Sequence, residues 1–234
     1  LNSANPVTRG SAQNDDVYMQ GREIQDKYYA KVPDIVAEYL TEISKVTGRN
    51  YAPFVFYGDK DATDVVIAMG SVTEAIEETV DYLQKQGRKV GLLSVHLYRP
   101  FSIEYFMKAM PETVERISVL ERTKESGSIG EPLTLDVKSV FYGKKDAPEI
   151  FSGRYGLSSK DTTPGQILAV FDNMAKGKKE RFTIGINDDV NHTSLDNVEI
   201  DTQPESTTEL LFFGFGSDGT VGANKDAIKI IGDK

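Results

Sequence analysis

The 234-residue sequence has no cysteine and no tryptophan, and only two histidines, His96 and His192. Without cysteine the chain forms no disulfide framework, no thiolate zinc or iron–sulfur site and no thiol nucleophile, so any such chemistry belongs on another chain or segment. Basic runs are also missing, none being longer than a pair such as Lys178-Lys179. Counterion release needs clustered Lys and Arg, which argues against nucleic acid as a partner. Long apolar runs are absent as well. Stretches such as residues 65–69 fall far short of the roughly 20 residues that span a bilayer, so no membrane partner is expected. The N-terminus lacks a charged start followed by an apolar segment and does not begin with Met, the expectation being a soluble, cytoplasmic interior segment without an export signal. A serine triad would need one of the two histidines and a serine without a Gly-x-Ser-x-Gly elbow, which argues against nucleophilic hydrolysis.

What is present is length for one to two domains and an acidic balance, 27 Lys and Arg against 36 Asp and Glu. Residues 1–26 show no sustained apolar period and are expected to form an extended arm. Val32, Ile35, Val36, Tyr39, Leu40, Ile43 and Val46 then recur at steps of three and four, predicting an amphipathic helix stopped by Gly48. Residues 51–57 read as a strand. The apolar run 65–69 reads as a parallel strand buried on both faces, and Ser71 with Glu74 as a capping box opening a helix along Val72, Ile76, Val80 and Leu83. Strands at 90–97 and 116–120 alternate with a helix at 102–110, the rhythm of right-handed crossovers and a parallel sheet. A helix at 133–142, a strand at 149–152 and a helix begun by Thr163-Pro164 complete a domain over residues 27–186. Residues 187–206 hold acids without Lys or Arg and are expected as a solvated linker. Residues 207–234 then read as a strand at 209–213, a glycine-rich turn and a helix, the opening of a further α/β unit inside which the chain is expected to end.

The turn Gly214-Phe215-Gly216-Ser217-Asp218-Gly219 fits the Gly-x-Gly-x-x-Gly pattern, which leaves two readings: a backbone cradle for a phosphate, or a tight turn needing glycine for positive φ. Lys225 and Asn224 beside it favour a phosphate-bearing ligand. His96 is read as a core or edge histidine with one hydrogen bond rather than a base, and His192 as solvated. Glu121-Arg122-Thr123-Lys124-Glu125 and Arg99 follow strands at the carboxyl edge, where open sheets place ligands; both also read as pairing or interface groups.

Six runs carry a resemblance: Asn5-Pro6-Val7-Thr8-Arg9-Gly10-Ser11-Ala12-Gln13-Asn14, Tyr29-Ala30-Lys31-Val32-Pro33, Leu97-Tyr98-Arg99-Pro100-Phe101, Glu121 to Glu125, Gly153-Arg154-Tyr155-Gly156-Leu157, and Asp218-Gly219-Thr220-Val221-Gly222-Ala223-Asn224-Lys225. They resemble the pyruvate:ferredoxin (flavodoxin) oxidoreductase family, in its order and across the whole chain. The resemblance implies a three-layer α/β/α domain like the transketolase C-terminal domain, with a five-stranded mixed, mostly parallel sheet whose first strand, residues 54–57, is antiparallel. It implies a parent enzyme that oxidatively decarboxylates pyruvate with coenzyme A, using thiamine diphosphate, magnesium and iron–sulfur clusters, with ferredoxin or flavodoxin as acceptor. It further implies the remaining domains of the polypeptide as partners and a homodimer. The diphosphate-anchoring Gly-Asp-Gly motif with its downstream Asn is missing here, so no catalytic residue and no metal ligand is assigned and the segment is expected to be silent alone. Carried over residue by residue, Gly216, Asp218, Gly219, Gly222, Asn224 and Lys225 would help bind coenzyme A, and Arg9 would lie near the catalytic first domain. The alternative is a freestanding coenzyme A- or nucleotide-binding α/β module.

Overall fold

The computed structural model describes residues 2–7, 12–188, 190–196, 198–204 and 206–232. They fall into two compact units, Leu1–Ile200 and Asp201–Lys234. The first is built on a sheet of β1 (Phe54–Gly58), β2 (Asp64–Ala68), β3 (Val90–Val95), β4 (Arg116–Glu121), β5 (Glu149–Arg154) and β6 (Arg181–Thr183). Its order is β1-β3-β2-β4-β5-β6. β1 runs antiparallel to β3, with Phe54 opposite Val95, and every other pairing is parallel. The sheet therefore has six strands rather than five. The added strand, Arg181-Phe182-Thr183, is too short to show an alternation of its own and exists because it pairs with Ser152–Arg154 on β5.

β2 is fully buried from end to end. Its side chains alternate, Val66 and Ala68 entering one apolar cluster and Val65 and Ile67 the other. Helices α3 (Val72–Lys85) and α6 (Pro164–Asp172) cover the first face through Ile76, Val80, Leu83, Ile167 and Phe171. Arg88 ties them at the surface, its Nη1 2.8 Å from Asp172 Oδ1. Helices α4 (Ile103–Ala109) and α5 (Pro132–Phe141) cover the second face through Phe106, Leu133 and Val137. The steps β2–β3 and β5–β6 move in opposite directions across the sheet, yet their helices lie on the same face. The β5–β6 crossover consequently has the opposite hand to the other three, which share one hand.

The capping box lies elsewhere than expected. Ser71 already has helical angles (φ −63°, ψ −20°) and makes no cap bond, because a capping side chain reaches the first turn only from an extended backbone. Thr163 has that geometry (φ −99°, ψ 158°), accepts from Gln166 N, and its own N–H reaches the Gln166 side chain.

Three further expectations differ. Within the arm, Asp15–Tyr29 forms helix α1 and is followed directly by α2 (Val32–Thr47), which ends at Gly48 as foreseen. Val17, Gly21, Ile24 and Tyr28 do make one helical stripe, but a glycine interrupts it and polar residues surround it. Residues 187–200 are not simply solvated. Ser194 bridges to Thr183, Leu195 packs on the first-face core, and the Asp188 carboxylate accepts the backbone N–H groups of Val190, Asn191 and Thr193. In the second unit, residues 209–213 form no strand among the described residues, since no neighbouring strand is there to pair with; helix α7 (Thr220–Gly232) does form.

A Cβ at Gly165 on α6 would run into the carbonyl oxygen of Val198. Gly→Ala inside a helix ordinarily stabilises by about 0.5–1 kcal/mol. At Gly165 the sign is expected to reverse, with Gly165→Ala displacing residues 193–200 and opening them to proteolysis under conditions where the unsubstituted chain resists.

Candidate functional site

The strand order reverses between β2 and β4, and open α/β sheets hold ligands outside the carboxyl ends of strands at such a point. A cleft of about 320 Å³ lies there, lined by Ser71 just before α3, Ala75 on it, Arg122 beyond β4, and Tyr155, Ser159 and Lys160 beyond β5. Arg122 is already committed: its Nε donates to Gly156 O at 2.9 Å and its Nη2 to Ser159 Oγ at 3.3 Å. Tyr155 is buried and its hydroxyl donates to Met69 O. Arg99 is equally engaged. It lies over the Tyr98 ring at 3.9 Å, donates to the Tyr98 hydroxyl and stands 2.7 Å from Asp136. Burial and a hydrogen bond to Asp136 push the Tyr98 phenol up to about 12. His96 is an exposed edge residue whose Nδ1 lies 2.9 Å from Ala52 O, in keeping with the single-bond reading. His192 is exposed in the loop after β6.

Beneath this edge is a polar network that sequence reasoning missed. Glu121, at the end of β4, accepts from Leu133 N (2.7 Å), Thr134 N (2.9 Å) and Thr134 Oγ1 (2.7 Å), so its carboxylate caps α5. Burial raises its pKa, the three donors oppose the rise, and the nearby Glu131 adds to it. Glu131 is wholly buried and accepts from Arg154 Nε at 2.8 Å and Ser152 Oγ at 3.1 Å, with Arg181 Nη2 3.7 Å away. Each hydroxyl has one proton: Thr134 directs its proton to Glu121 and Ser152 directs its own to Glu131. The 3.3 Å contact between these two oxygens then carries none, and the carboxylates sit in separate donor sets. The available signals were the Glu131-Pro132 helix start and charged residues closing two apolar strands.

The predicted coenzyme A residues lie in the second unit. Gly216 (φ 77°) and Gly219 (φ 84°) take the left-handed conformation, the tight-turn reading of the motif. Asp218 turns inward: it accepts from Phe215 N at 2.7 Å and from Thr220 N at 3.0 Å, and the Thr220 hydroxyl also donates to it. These donors hold the Asp218 carboxyl down at about 2. Its carboxylate thus takes N–H groups that an anionic phosphate would use. Gly222 and Lys225 are exposed on the first turns of α7, and Asn224 is half-buried. Arg9 lies outside the described residues. Among the described residues no three His, Asp or Glu side chains gather to hold a metal ion, and no helix is long and apolar enough to cross a membrane.

Residues 62–167 match the family described as pyruvate:ferredoxin oxidoreductase core domain II. Over the whole chain the sequence is 54% identical to a pyruvate-flavodoxin oxidoreductase of Enterobacter agglomerans, covering 20% of that protein. It is 52% identical to the pyruvate:ferredoxin oxidoreductase of Moorella thermoacetica, again covering 20% of it. Along its whole length the chain matches a one-fifth portion of pyruvate:ferredoxin (flavodoxin) oxidoreductases. It spans about a fifth of the length of these curated relatives. Of the family's core domain II, the matched stretch runs from just before β2 into α6 and so contains the whole carboxyl-edge network except Arg181. A solved 2-oxoglutarate:ferredoxin oxidoreductase from Magnetococcus marinus overlaps 54% of this chain and 20% of its own with a TM-score of 0.40 and 19% identity.

Two outcomes are expected. Glu131→Ala leaves the Arg154 guanidinium buried without its carboxylate and should cost about 3–5 kcal/mol in urea unfolding, while Glu131→Leu with Arg154→Met together should recover most of that loss. For Asp218 the folded carboxyl is depressed, so its cap is fully present above the ordinary carboxylate value near pH ~4. It is lost as pH falls through about 2, where the amide resonances of Phe215 and Thr220 should shift together.

Proposed function

We propose that the chain is a structural and docking segment of an oxidoreductase whose whole polypeptide oxidatively decarboxylates pyruvate with coenzyme A to acetyl-CoA and carbon dioxide, and passes the electrons through iron–sulfur clusters to ferredoxin or flavodoxin. The observation that carries this reading is the match of the entire chain, at 52–54% identity, to one-fifth portions of relatives that bear those names. The polar groups at its carboxyl edge support the silent role, because Arg99, Arg122, Glu121 and Glu131 are each held by neighbours within the fold. Thiamine diphosphate with magnesium and iron–sulfur clusters, which supply the carbon and electron chemistry of such an enzyme, do not fit the residues present: there is no thiolate and no gathered set of metal-ligating carboxylates among the described residues. They belong to the remaining domains, the partners proposed for this segment within a cytoplasmic homodimer.

For coenzyme A, Gly216, Gly219, Gly222, Asn224 and Lys225 would form a backbone turn with one cation, shaped by the Asp218 carboxylate. A freestanding coenzyme A-binding module is the competing reading, favoured by the exposed Lys225 beside the turn.

With thiamine diphosphate, magnesium, coenzyme A and pyruvate added, the 234-residue chain should reduce no viologen dye above background; reduction would overturn the docking reading. Calorimetric titration with coenzyme A separates the alternatives. Micromolar binding lost on Lys225→Ala supports the module, and no heat supports a turn that works only within the larger enzyme.

A further inference from the structure

Helices α1 and α2 contain 15 and 16 residues, and neither buries a single one of them within the chain. Helices of this length are marginal in water unless an apolar face is packed. One side of α2 is partly used. Asp34 accepts from the Tyr105 hydroxyl at 2.9 Å, and Ser44 Oγ accepts from Tyr51 N at 2.8 Å, anchoring the helix beside α4 and the start of β1. The opposite side carries Ile35, Tyr39, Ile43 and Val46, one stripe at steps of four, four and three, with exposures of 46–88%. On α1, Ile24 and Tyr28 add a second exposed apolar stretch. Single exposed apolar residues are ordinary, but an ordered stripe along a helix that has no buried face marks a surface to be covered.

We infer that this face of α1 and α2 is a docking surface for polypeptide of the same chain lying outside residues 1–234. The inference rests on the reading proposed above. The curated relatives are about five times as long as this match, so a tethered neighbour is at hand. A tethered segment meets the stripe at an effective concentration on the order of millimolar, against which a freely diffusing partner at ordinary protein concentration competes poorly. The stripe's four side chains are three aliphatics and a tyrosine, which calls for an apolar groove with a hydrogen-bond acceptor or water at the Tyr39 hydroxyl.

The test uses the full-length oxidoreductase containing this segment, with the photo-crosslinking amino acid p-benzoylphenylalanine at Tyr39 and, in a second variant, at Ile24. Pyruvate-dependent viologen reduction by each variant reports that it has folded. The expected result is a cross-link that leaves the band at single-polypeptide mass and joins the probe to a peptide outside residues 1–234. A band of doubled mass, a cross-link confined to residues 1–234, or no cross-link at either position would overturn the inference. If the unsubstituted enzyme reduced no dye with pyruvate, the reaction proposed above would fail while the cross-link still reported docking.

Discussion

Everything in the first unit depends on the two-sided burial of β2. Val65, Val66, Ile67 and Ala68 have no exposed surface, and each large aliphatic removed from water contributes on the order of 1.5–3 kcal/mol. A strand apolar on both faces needs a layer on each side, so α3 and α6 must close one face while α4 and α5 close the other. Parallel pairing to β3 and β4 fixes where β2 ends, and that endpoint sets the start of α3 and the reversal point of the strand order. The carboxyl edge inherits its geometry from this constraint.

The polar groups gathered at that edge serve the fold. Glu121 caps α5, Glu131 holds Arg154, Arg99 stacks on Tyr98 beside Asp136, and Arg122 clasps the turn after β5. An open sheet commonly uses the same location for ligand groups with unsatisfied bonding capacity. Here most of that capacity is taken up internally. The second unit follows the same logic on a small scale, with Asp218 closing its own turn.

The central strands and the antiparallel edge were legible for different reasons. The run at β2 is continuously apolar, which marks a strand buried on both faces, while β3 and β4 carry shorter apolar stretches broken by Ser94 and Ser118. The polarity of β1 came only with the family resemblance, because alternation within residues 51–57 says nothing about direction. β6 was not legible, since three residues become a strand only through a partner distant in sequence. The converse holds for residues 209–213, whose apolar run looks like a strand and has none to pair with. Helix α1 was masked by Gly21 in its stripe and by its polar flanks. The buried Glu131–Arg154 pair was out of reach because its members lie 23 residues apart and meet only when β5 and the start of α5 are assembled. At the glycine-rich turn the need for glycine at positive φ was legible, but only the fold shows that Asp218 takes up the donors of the turn itself.

Native-state hydrogen exchange on the 234-residue chain tests the central claim most directly. Slow, mutually similar exchange of the β2, β3 and β4 amides, together with exchange of residues 209–231 close to that of an unprotected peptide, is the result expected of one self-supporting domain and a second unit that buries almost nothing. Protection of residues 209–231 equal to that of β2 would contradict it.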